Sequence, residues 1–463
     1  MHMRLASLLL AAALAVPAAS AQVRQVDLIV YNAIVVTMDA ASRIIPRGAV
    51  AIQDGRIAAV DAADAIAAAY TGRETLDAGG QVVLPGLINT HTHAPMVLYR
   101  GLADDLALME WLQKYIFPAE AKTVTPEFVR AGTRLAALEM IQSGTTTYAD
   151  MYYFEEEIAR VTREAGLRGV LGQTIIQFPV ADAKTPEEGL ARTEAFLKEF
   201  AGDELIVPAI APHAMYTLEA RTLKAVRAMA DRYSAPVLIH LAETADESKT
   251  SQQRHKMSPT RYLESLGFWG PRTLAAHAVW LSPADIQILA RRNVGVSHNP
   301  ESNMKLASGT AKVPALRTAR VHVGLGTDGA ASNNDLDMFE AMRQAAFLHK
   351  LTTGDPRAVP APVALQMATI EGARALGMDD RLGSLEPGKR ADLIVVSMRG
   401  ARQTPMYDPV SHLVYVSRGD DVQTTIVNGK ILMRDRKVLT LDEEKVLAEA
   451  NVFAARVREA VGK

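Results

Sequence analysis

The chain has 463 residues, 49% apolar and 22% charged, so it can bury the core of one large domain with an appendage. Its formal net charge is −2, which gives no basis for binding nucleic acid or a membrane surface. Because the sequence contains no cysteine, disulfides and cysteine-ligated metals are excluded. A small molecule is the partner that we expect, and a homo-oligomer is compatible with this composition.

Residues 1–21 have the layout of a cleavable secretory signal. Arg4 precedes a 12-residue apolar stretch, Leu5 to Val16, and Ala19-Ser20-Ala21 forms an A-x-A cleavage site. The apolar stretch is shorter than the roughly 20 residues that a membrane-spanning helix needs. We therefore expect export, to the periplasm in a Gram-negative source, and no membrane contact after cleavage. An uncleaved anchor is the alternative.

Residues 22–81 and 383–440 are both rich in short β-type runs, which predicts one small composite β-sandwich built from the two ends of the chain. Asp54-Gly55 and Asn428-Gly429 each lie between two such runs, a pattern typical of type I′ hairpin turns. Residues 441–463 alternate Ala, Val and Leu with charges at helical spacing, which predicts a C-terminal surface helix.

Residues 82–382 repeat a strand–helix pattern. Segments with helical periodicity, such as Pro126–Gln142 and Leu218 to Arg232, separate most of the short apolar runs in this part. Eight such runs predict an α/β fold with a (β/α)₈ TIM-type barrel. The runs are VVLPGLINTHTH, TTTYADMYY, RGVLGQTIIQ, IVPAIAPHAMY, PVLIHLAET, TLAAHAVWL, NVGVSHNPESN and HVGLGTDGAA.

Histidines and carboxylates concentrate where these predicted strands end, which is where barrel enzymes carry their reactive groups. Strand one ends in His91 and His93, which are two residues apart and therefore point to the same side of an extended chain. Both imidazoles can bind one metal ion, at about 2.0–2.1 Å if it is zinc. The residues that end the later strands are His213 (strand four), His240 with Glu243 (five), His277 (six), His298 with Asn299 (seven) and Asp328 (eight).

Several of these segments together resemble the amidohydrolase superfamily. The segments are PGLINTHTH, HLAET, AAHAVWL, SHNPESNMKLASG and GLGTDGAASNN, and the resemblance runs from about Val26 to Val438. Within the superfamily they look most like deaminases acting on 5′-methylthioadenosine and S-adenosylhomocysteine, with guanine deaminases and s-triazine hydrolases as similar relatives. The resemblance implies a barrel with a composite β-sandwich, in agreement with the strand count.

The resemblance also implies roles for individual residues. The metal ligands of the family fall on His91, His93, His240 and Asp328. The proton-transferring glutamate falls on Glu243, and His277 matches a histidine near the attacking water. Together, Glu243, His277 and Asp328 form the candidate catalytic group. Candidate substrate contacts are Glu120, His213, Glu243 and Asn299, with Glu120 matching a glutamate used on ribose.

Binuclear members of the superfamily often have a carboxylated lysine at the end of strand four. This chain has APHAMYT there, without lysine, so we expect one divalent metal per chain. Zinc is the first choice, and Fe²⁺ or Mn²⁺ would suit the same ligands.

The function that we expect is metal-dependent hydrolytic deamination of an adenosine-type nucleoside, with release of ammonia. The alternative is hydrolysis of another heterocycle on the same scaffold: a guanine-type base, a pterin, an s-triazine or a cyclic amide. A metal- or ligand-binding protein without turnover would be expected to lack some of these groups, yet all four ligands and Glu243 are present.

Overall fold

A computed structural model describes residues 23–462 of the chain. The predicted secretory signal therefore lies outside the described residues. Within residues 23–462, no helix combines the length and the apolar character that a membrane crossing requires.

The strands of the described residues belong to two sheets. The strands that precede the barrel are β1 (Arg24–Val36), β2 (Ile44–Gln53), β3 (Arg56–Ala62), β4 (Tyr70–Asp77) and β5 (Val82–Pro85). The barrel strands are β6 (Leu87–Thr92), β7 (Thr145–Tyr152), β8 (Arg168–Ile175), β9 (Ile206–Pro212), β10 (Val237–Leu241), β11 (Thr273–His277), β12 (Gly295–His298) and β13 (Val323–Leu325). The strands that follow the barrel are β14 (Leu393–Val396), β15 (Val422–Val427), β16 (Lys430–Arg434) and β17 (Lys437–Val438).

Helices connect most of these strands. The α-helices of the described residues are α1 (Ala63–Ala69), α2 (Leu108–Trp111), α3 (Phe117–Thr123), α4 (Pro126–Gln142), α5 (Glu155–Ala165), α6 (Pro186–Glu199), α7 (Ala220–Tyr233), α8 (Ala245–His255), α9 (Pro259–Ser265), α10 (Pro283–Arg291), α11 (Pro300–Lys305), α12 (Val313–Thr318), α13 (Met338–Thr353), α14 (Ala361–Met367), α15 (Ile370–Ala375), α16 (Pro409–Tyr415) and α17 (Glu443–Val461). Two 3₁₀ helices span Ala94–Tyr99 and Gly419–Asp421, and a π-helical turn, Leu112–Ile116, joins α2 to α3.

The first sheet combines strands from both ends of the chain, in the order β17-β16-β15-β14-β5-β1-β2-β3, with β4 beside β1. The prediction that the two ends build one β structure is therefore confirmed. Its two predicted hairpin turns have positive φ at both central residues, as a type I′ turn requires. The φ values are 51° at Asp54 and 70° at Gly55, and 51° at Asn428 and 73° at Gly429.

The second sheet is the predicted barrel, with β6 to β13 neighbouring one another in chain order. The paired neighbours run parallel, and each of the eight predicted runs contains one strand of the barrel. The last strand meets the first, because Thr90 donates a hydrogen bond to the Leu325 carbonyl at 2.8 Å. Three residues after β13, the Asp328 N–H donates to the carbonyl of His91 in β6 at 2.9 Å. The barrel brings the ends of β6 and β13 together, which matters for the site.

The structure differs from the prediction at the start of the barrel. The apolar run from Val82, predicted as one strand, is divided at Gly86 into β5 and β6. β5 pairs with β1 and β14 and so belongs to the first sheet. A Cβ at Gly86 would lie 2.1 Å from Thr146 Oγ1, so the chain can pass between the sheets there only without a side chain.

The helix starts follow a simple local rule. α4, α6, α9 and α10 each begin with proline after a serine or threonine whose hydroxyl accepts a backbone N–H in the first turn. The observed α4 has the predicted bounds, and α7 lies within two residues of its predicted range. The C-terminal helix α17 packs against α3 and α4 through a buried stripe, which ties the chain end to the barrel. The stripe consists of Val446, Ala450, Phe453 and Val457.

Candidate active site at the carboxyl ends of the barrel strands

The end of β6 supplies two imidazoles to the mouth of the barrel. His91 is buried, and His93 is the first residue after the strand, with a side chain 16% exposed. Their Nε2 atoms lie 3.5 and 3.4 Å from the same oxygen, Oδ1 of Asp328. The alternation of an extended strand thus places both rings on one side, as the spacing predicts.

β10 and the end of β13 complete this group of donors. His240 Nε2 lies 3.4 Å from His93 Nε2. Two overlapping sets have donor atoms within 4.8 Å of one another: His91 with His93 and His240, and His91 with His277 and Asp328. The four ligands implied by the resemblance, His91, His93, His240 and Asp328, are therefore brought together.

The surroundings of these imidazoles suit a divalent cation. His93 Nδ1 lies 2.6 Å from the Met151 carbonyl, and His240 Nδ1 lies 2.7 Å from the His213 carbonyl. A carbonyl only accepts, so each Nδ1 carries the proton and each Nε2 directs a lone pair inward. Nε2 of His91 is buried without a hydrogen-bond partner among the described residues. An unpaired buried nitrogen is costly unless a ligand fills the space, so the residues fit a metal ion.

The protonation of the imidazoles is consistent with metal binding. Burial, followed by the charge of His91, lowers the pKa of His93 to about 4. Burial and the neighbouring histidines hold the pKa of His240 well below its usual range. Neutral imidazole is the form that binds metals.

His277 ends β11 on the other side of the Asp328 carboxylate. Its Nδ1 faces the side-chain amides of Asn303 at 2.9 Å and Asn299 at 3.3 Å. Its Nε2 lies 3.7 Å from Glu243 Oε2 and 3.9 Å from Asp328 Oδ2. Burial lowers the pKa of His277 to about 3, so its ring is neutral. It can hold a small molecule between the two carboxyl groups.

The carboxyl groups of Glu243 and Asp328 have opposite protonation preferences. Burial, and then the charges of Asp328 and Glu247, raise the pKa of Glu243 well above its usual range. Burial acts on Asp328 in the same sense, but His91, His277 and His93 hold its pKa well below the usual range. The protonated form is therefore favoured at Glu243 and the ionised form at Asp328, an arrangement suited to acid–base chemistry.

Backbone strain accompanies these side chains. Ala242, His277 and Asp328 all have positive φ, at 48°, 72° and 64°. For a residue other than glycine, such a conformation costs about 1–3 kcal/mol, and strained residues of this kind cluster at functional sites. These residues lie just after β10, at the end of β11 and three residues after β13, next to the reactive side chains or among them.

Glu120 and His213 lie in the pocket above these groups. Glu120 belongs to α3, is 7% exposed, and accepts a hydrogen bond from the Tyr152 hydroxyl at 2.7 Å. Burial raises its pKa to about 7. His213 follows β9, its Nδ1 lies 3.1 Å from Thr217 Oγ1, and its ring lies beside His240. The remaining wall is largely apolar and includes Met96, Leu108, Trp111, Leu112, Ile116, Phe117 and Leu306.

The structure differs from the prediction at Asn299. It is fully buried behind His277 and is not among the residues that line the pocket. Its Oδ1 accepts a hydrogen bond from the Ser297 hydroxyl at 2.9 Å, so the side chain points into the barrel and not towards the mouth. Nε2 of the adjacent His298 lies 3.1 Å from Nε2 of His349 inside the protein, and His298 also does not line the pocket.

Glu247 contributes to the site without having been identified from sequence. Its carboxylate accepts the backbone N–H groups of Ala242 and Glu243, each at 3.0 Å, and so fixes the turn that presents Glu243. The sequence does contain a pattern that indicates this role: Thr244 caps α8 by accepting the Glu247 N–H, and Glu247 follows it by three residues. A threonine followed three residues later by glutamate is the pattern of a capping box, in which the glutamate reaches back to the preceding backbone.

Comparison with known proteins agrees with this geometry. Residues 82–432 match the Amidohydrolase family model. A 5-methylthioadenosine/S-adenosylhomocysteine deaminase of Syntrophobacter fumaroxidans is 48% identical over 432 residues, covering 93% of this chain and 98% of that protein. A 5′-deoxyadenosine deaminase of Methanosarcina mazei is 47% identical, covering 92% and 98%. The crystal structure of a Xanthomonas campestris adenosine deaminase with bound zinc superposes with a TM-score of 0.93 at 39% identity, covering 94% and 100%.

Proposed function

The chain belongs to the amidohydrolase family, and we propose that it is a metal-dependent hydrolase that deaminates adenosine-type nucleosides and releases ammonia. Relatives of 42–48% identity over more than nine-tenths of the chain are named as deaminases of such nucleosides. The observation in the structure that carries the proposal is the placement of two buried carboxyl groups beside one imidazole: Glu243 Oε2 lies 3.7 Å and Asp328 Oδ2 lies 3.9 Å from His277 Nε2.

We assign the metal to His91, His93, His240 and Asp328, with zinc as the ion. The zinc in the Xanthomonas campestris structure and the preference of zinc for imidazole and carboxylate support this choice. When bound, the ion supplies a Lewis acid that makes water a nucleophile at neutral pH. One ion per chain agrees with the strand-four end, where Pro212 is followed by His213 and no lysine is present.

The side chains of the site would act on the nucleobase as follows. Asp328, which is ionised, takes a proton from the attacking water while His277 orients that water. Glu243 gives its carboxyl proton to the ring nitrogen next to the carbon that bears the amino group. The water oxygen bonds to that carbon, and Asp328 passes the proton that it took from water to the exocyclic nitrogen. The carbon–nitrogen bond then breaks and ammonia leaves, while the remaining hydroxyl proton returns to Glu243 and the carbon becomes a carbonyl. General acid–base steps of this kind contribute about 10²–10⁴-fold each.

Glu120 would bind the sugar. A buried carboxylate can accept hydrogen bonds from two ribose hydroxyls, at about 1.5–3 kcal/mol per bond to a charged group. Tyr152 already occupies one lone pair of Oε1 and holds the carboxylate in place. A guanine-type base, a pterin, a triazine or a cyclic amide lacks the hydroxyl pair that would use this carboxylate, so the alternatives fit less well.

Residues 1–21 motivate a separate proposal, that the protein is exported and cleaved after Ala21. The order of charged, apolar and small residues supports it. Mass spectrometry of the native N-terminus should find Gln22 as the first residue. A cytoplasmic product that retains Met1 would contradict the proposal.

A substrate panel tests the activity. Purified, zinc-loaded protein is incubated with adenine ribonucleosides, free adenine, guanine, pterins and triazines, and ammonia release is followed. We expect the adenine ribonucleosides to have the highest kcat/KM. If free bases or triazines are preferred, the nucleoside assignment fails.

A further inference from the structure

Two of the proposed metal ligands lie where regular strand pairing is interrupted or has ended. The pairing of β6 with β7 is irregular between Asn89 and Thr92, the stretch that contains His91. Asp328 lies three residues after β13, whose pairing with β12 ends at Leu325. The ladder therefore does not fix the backbone at His91 and Asp328 as it fixes the strands. Buried N–H groups in these segments need acceptors of another kind.

The side chain of Asn89 is an acceptor for both segments. It is fully buried, and its Oδ1 accepts the backbone N–H of Thr327 at 3.1 Å and that of His91 at 3.3 Å. Its Nδ2 donates to the Thr327 hydroxyl at 2.7 Å. These partners fix the orientation of the amide, because a backbone N–H only donates and must face the oxygen. One side chain thus joins His91 to the residue directly before Asp328.

These bonds belong to a closed ring of hydrogen bonds, which we call the Asn89 ring and which comprises Asn89, His91, Thr327 and Asp328. The Thr327 hydroxyl donates to the Asp328 carbonyl at 3.0 Å, and the Asp328 N–H donates to the His91 carbonyl at 2.9 Å. Asp328 has a φ of 64°, which a residue other than glycine keeps only where its surroundings constrain it. The ring constrains the backbone of both ligands, and His91 Nε2 lies 3.5 Å from Asp328 Oδ1.

We propose that Asn89 is a positioning residue of the metal centre, which holds His91 and Asp328 at their mutual distance before a metal ion binds. The inference rests on the proposed function, because it concerns the ligands assigned there. Asn89 is not among the residues that line the pocket, so it acts on the ligands through their backbone. Groups that hold metal ligands in place from behind typically contribute about 10–100-fold to metal affinity or activity.

A purely structural role in closing the barrel is the alternative, and Thr90 offers a matched control for it. The Thr90 hydroxyl also joins β6 to β13, since it donates to the Leu325 carbonyl at 2.8 Å, and it lies 2.6 Å from Ser297 Oγ. Thr90 and Thr327 are both fully buried. Thr90→Val and Thr327→Val each remove one buried hydroxyl from the contact between the first and last barrel strands. Only Thr327→Val breaks the Asn89 ring.

The experiment measures metal binding on purified protein without substrate. Competition with a chromophoric chelator gives the zinc Kd, and the visible spectrum of the Co²⁺ form reports the geometry of the ligands. Asn89→Ala and Thr327→Val should raise the zinc Kd at least about tenfold and change the Co²⁺ spectrum. Thr90→Val should lower the thermal stability but keep the wild-type zinc Kd and Co²⁺ spectrum. Thr327→Ser, which retains the hydroxyl, should also keep both.

Two results would overturn the proposal. The first is an equal rise of the zinc Kd in Thr90→Val and Thr327→Val, because loss of barrel closure would then explain both. The second is a wild-type zinc Kd and Co²⁺ spectrum in Thr327→Val. If Asn89→Ala does not fold, the comparison of Thr327→Val with Thr90→Val and Thr327→Ser decides the question alone.

The outcome is distinguishable from failure of the proposed function, because no substrate is needed. A wild-type protein that binds zinc but deaminates no nucleoside would refute the proposed function and leave the role of Asn89 to the metal data. A wild-type protein that deaminates nucleosides, together with a Thr327→Val variant that binds zinc equally well, would refute only the role of Asn89. A wild-type protein that binds no divalent metal would refute both.

Discussion

Binding of a ribonucleoside should weaken as the pH falls through 7, because Glu120 then loses its charge. Burial raises the pKa of this carboxyl to about 7, so its ionised fraction falls steeply over the pH range in which the enzyme would be studied. That fraction falls from about 90% at pH 8 to about 10% at pH 6 for a group with this pKa. If only the carboxylate binds the ribose hydroxyls, Kd rises up to about tenfold over that interval.

The measurement uses metal-loaded Glu243→Gln, which should bind substrate without turning it over, and titrates 5′-methylthioadenosine by calorimetry at pH 6 and pH 8. This variant also removes the titration of Glu243 itself. The control adds Glu120→Gln, whose amide does not titrate and still accepts from Tyr152, so its Kd should be nearly independent of pH. An unchanged Kd in the first variant, or an equal pH dependence in both, would refute the role of Glu120.

Three further outcomes follow from the same structure. Glu243→Gln should keep its metal but lose at least about 10²-fold in kcat, the lower end for a general acid, and an active variant would remove Glu243 from the mechanism. Elemental analysis after mild purification should find one divalent ion per chain, whereas two ions that are both needed for activity would contradict the single-metal assignment. Arg168→Ala should lower the free energy of unfolding by about 3–5 kcal/mol in urea denaturation, because it leaves Asp392 buried without its bidentate partner. The exposed Arg357–Asp355 pair is the control, and Arg357→Ala should leave the free energy of unfolding unchanged within error. Equal losses of unfolding free energy in the two variants would disprove the argument from burial.

The barrel and its reactive end could be predicted because both depend on local patterns. A short apolar run reports a strand that is buried on both faces, and the polar residues that follow it mark the strand end. Parallel strands in one barrel bring all their carboxyl ends to the same face. His91, His93, His240, His277 and Asp328 could therefore be grouped although up to 237 positions separate them.

The remaining details depend on contacts that no local pattern reports. Val82 to Thr92 contains one nearly continuous apolar run, and the division at Gly86 follows from the approach of Thr146 from another strand. Asn299 follows a strand just as His277 ends one, and only the packing around His277 shows that it supports this ring from behind. Long-range pairs such as His298 with His349 are likewise invisible in sequence.

The central claim, hydrolytic deamination of an adenosine-type nucleoside, is tested most directly by converting 5′-methylthioadenosine in ¹⁸O-labelled water. Mass spectrometry of the product and an ammonia assay are performed on the same reaction, with Glu243→Gln as the inactive control. We predict one ¹⁸O atom on the purine ring carbon that carried the amino group, and one ammonia for each nucleoside consumed. Recovery of unchanged nucleoside from the metal-loaded wild-type protein, or cleavage to free adenine without ammonia, would contradict the claim.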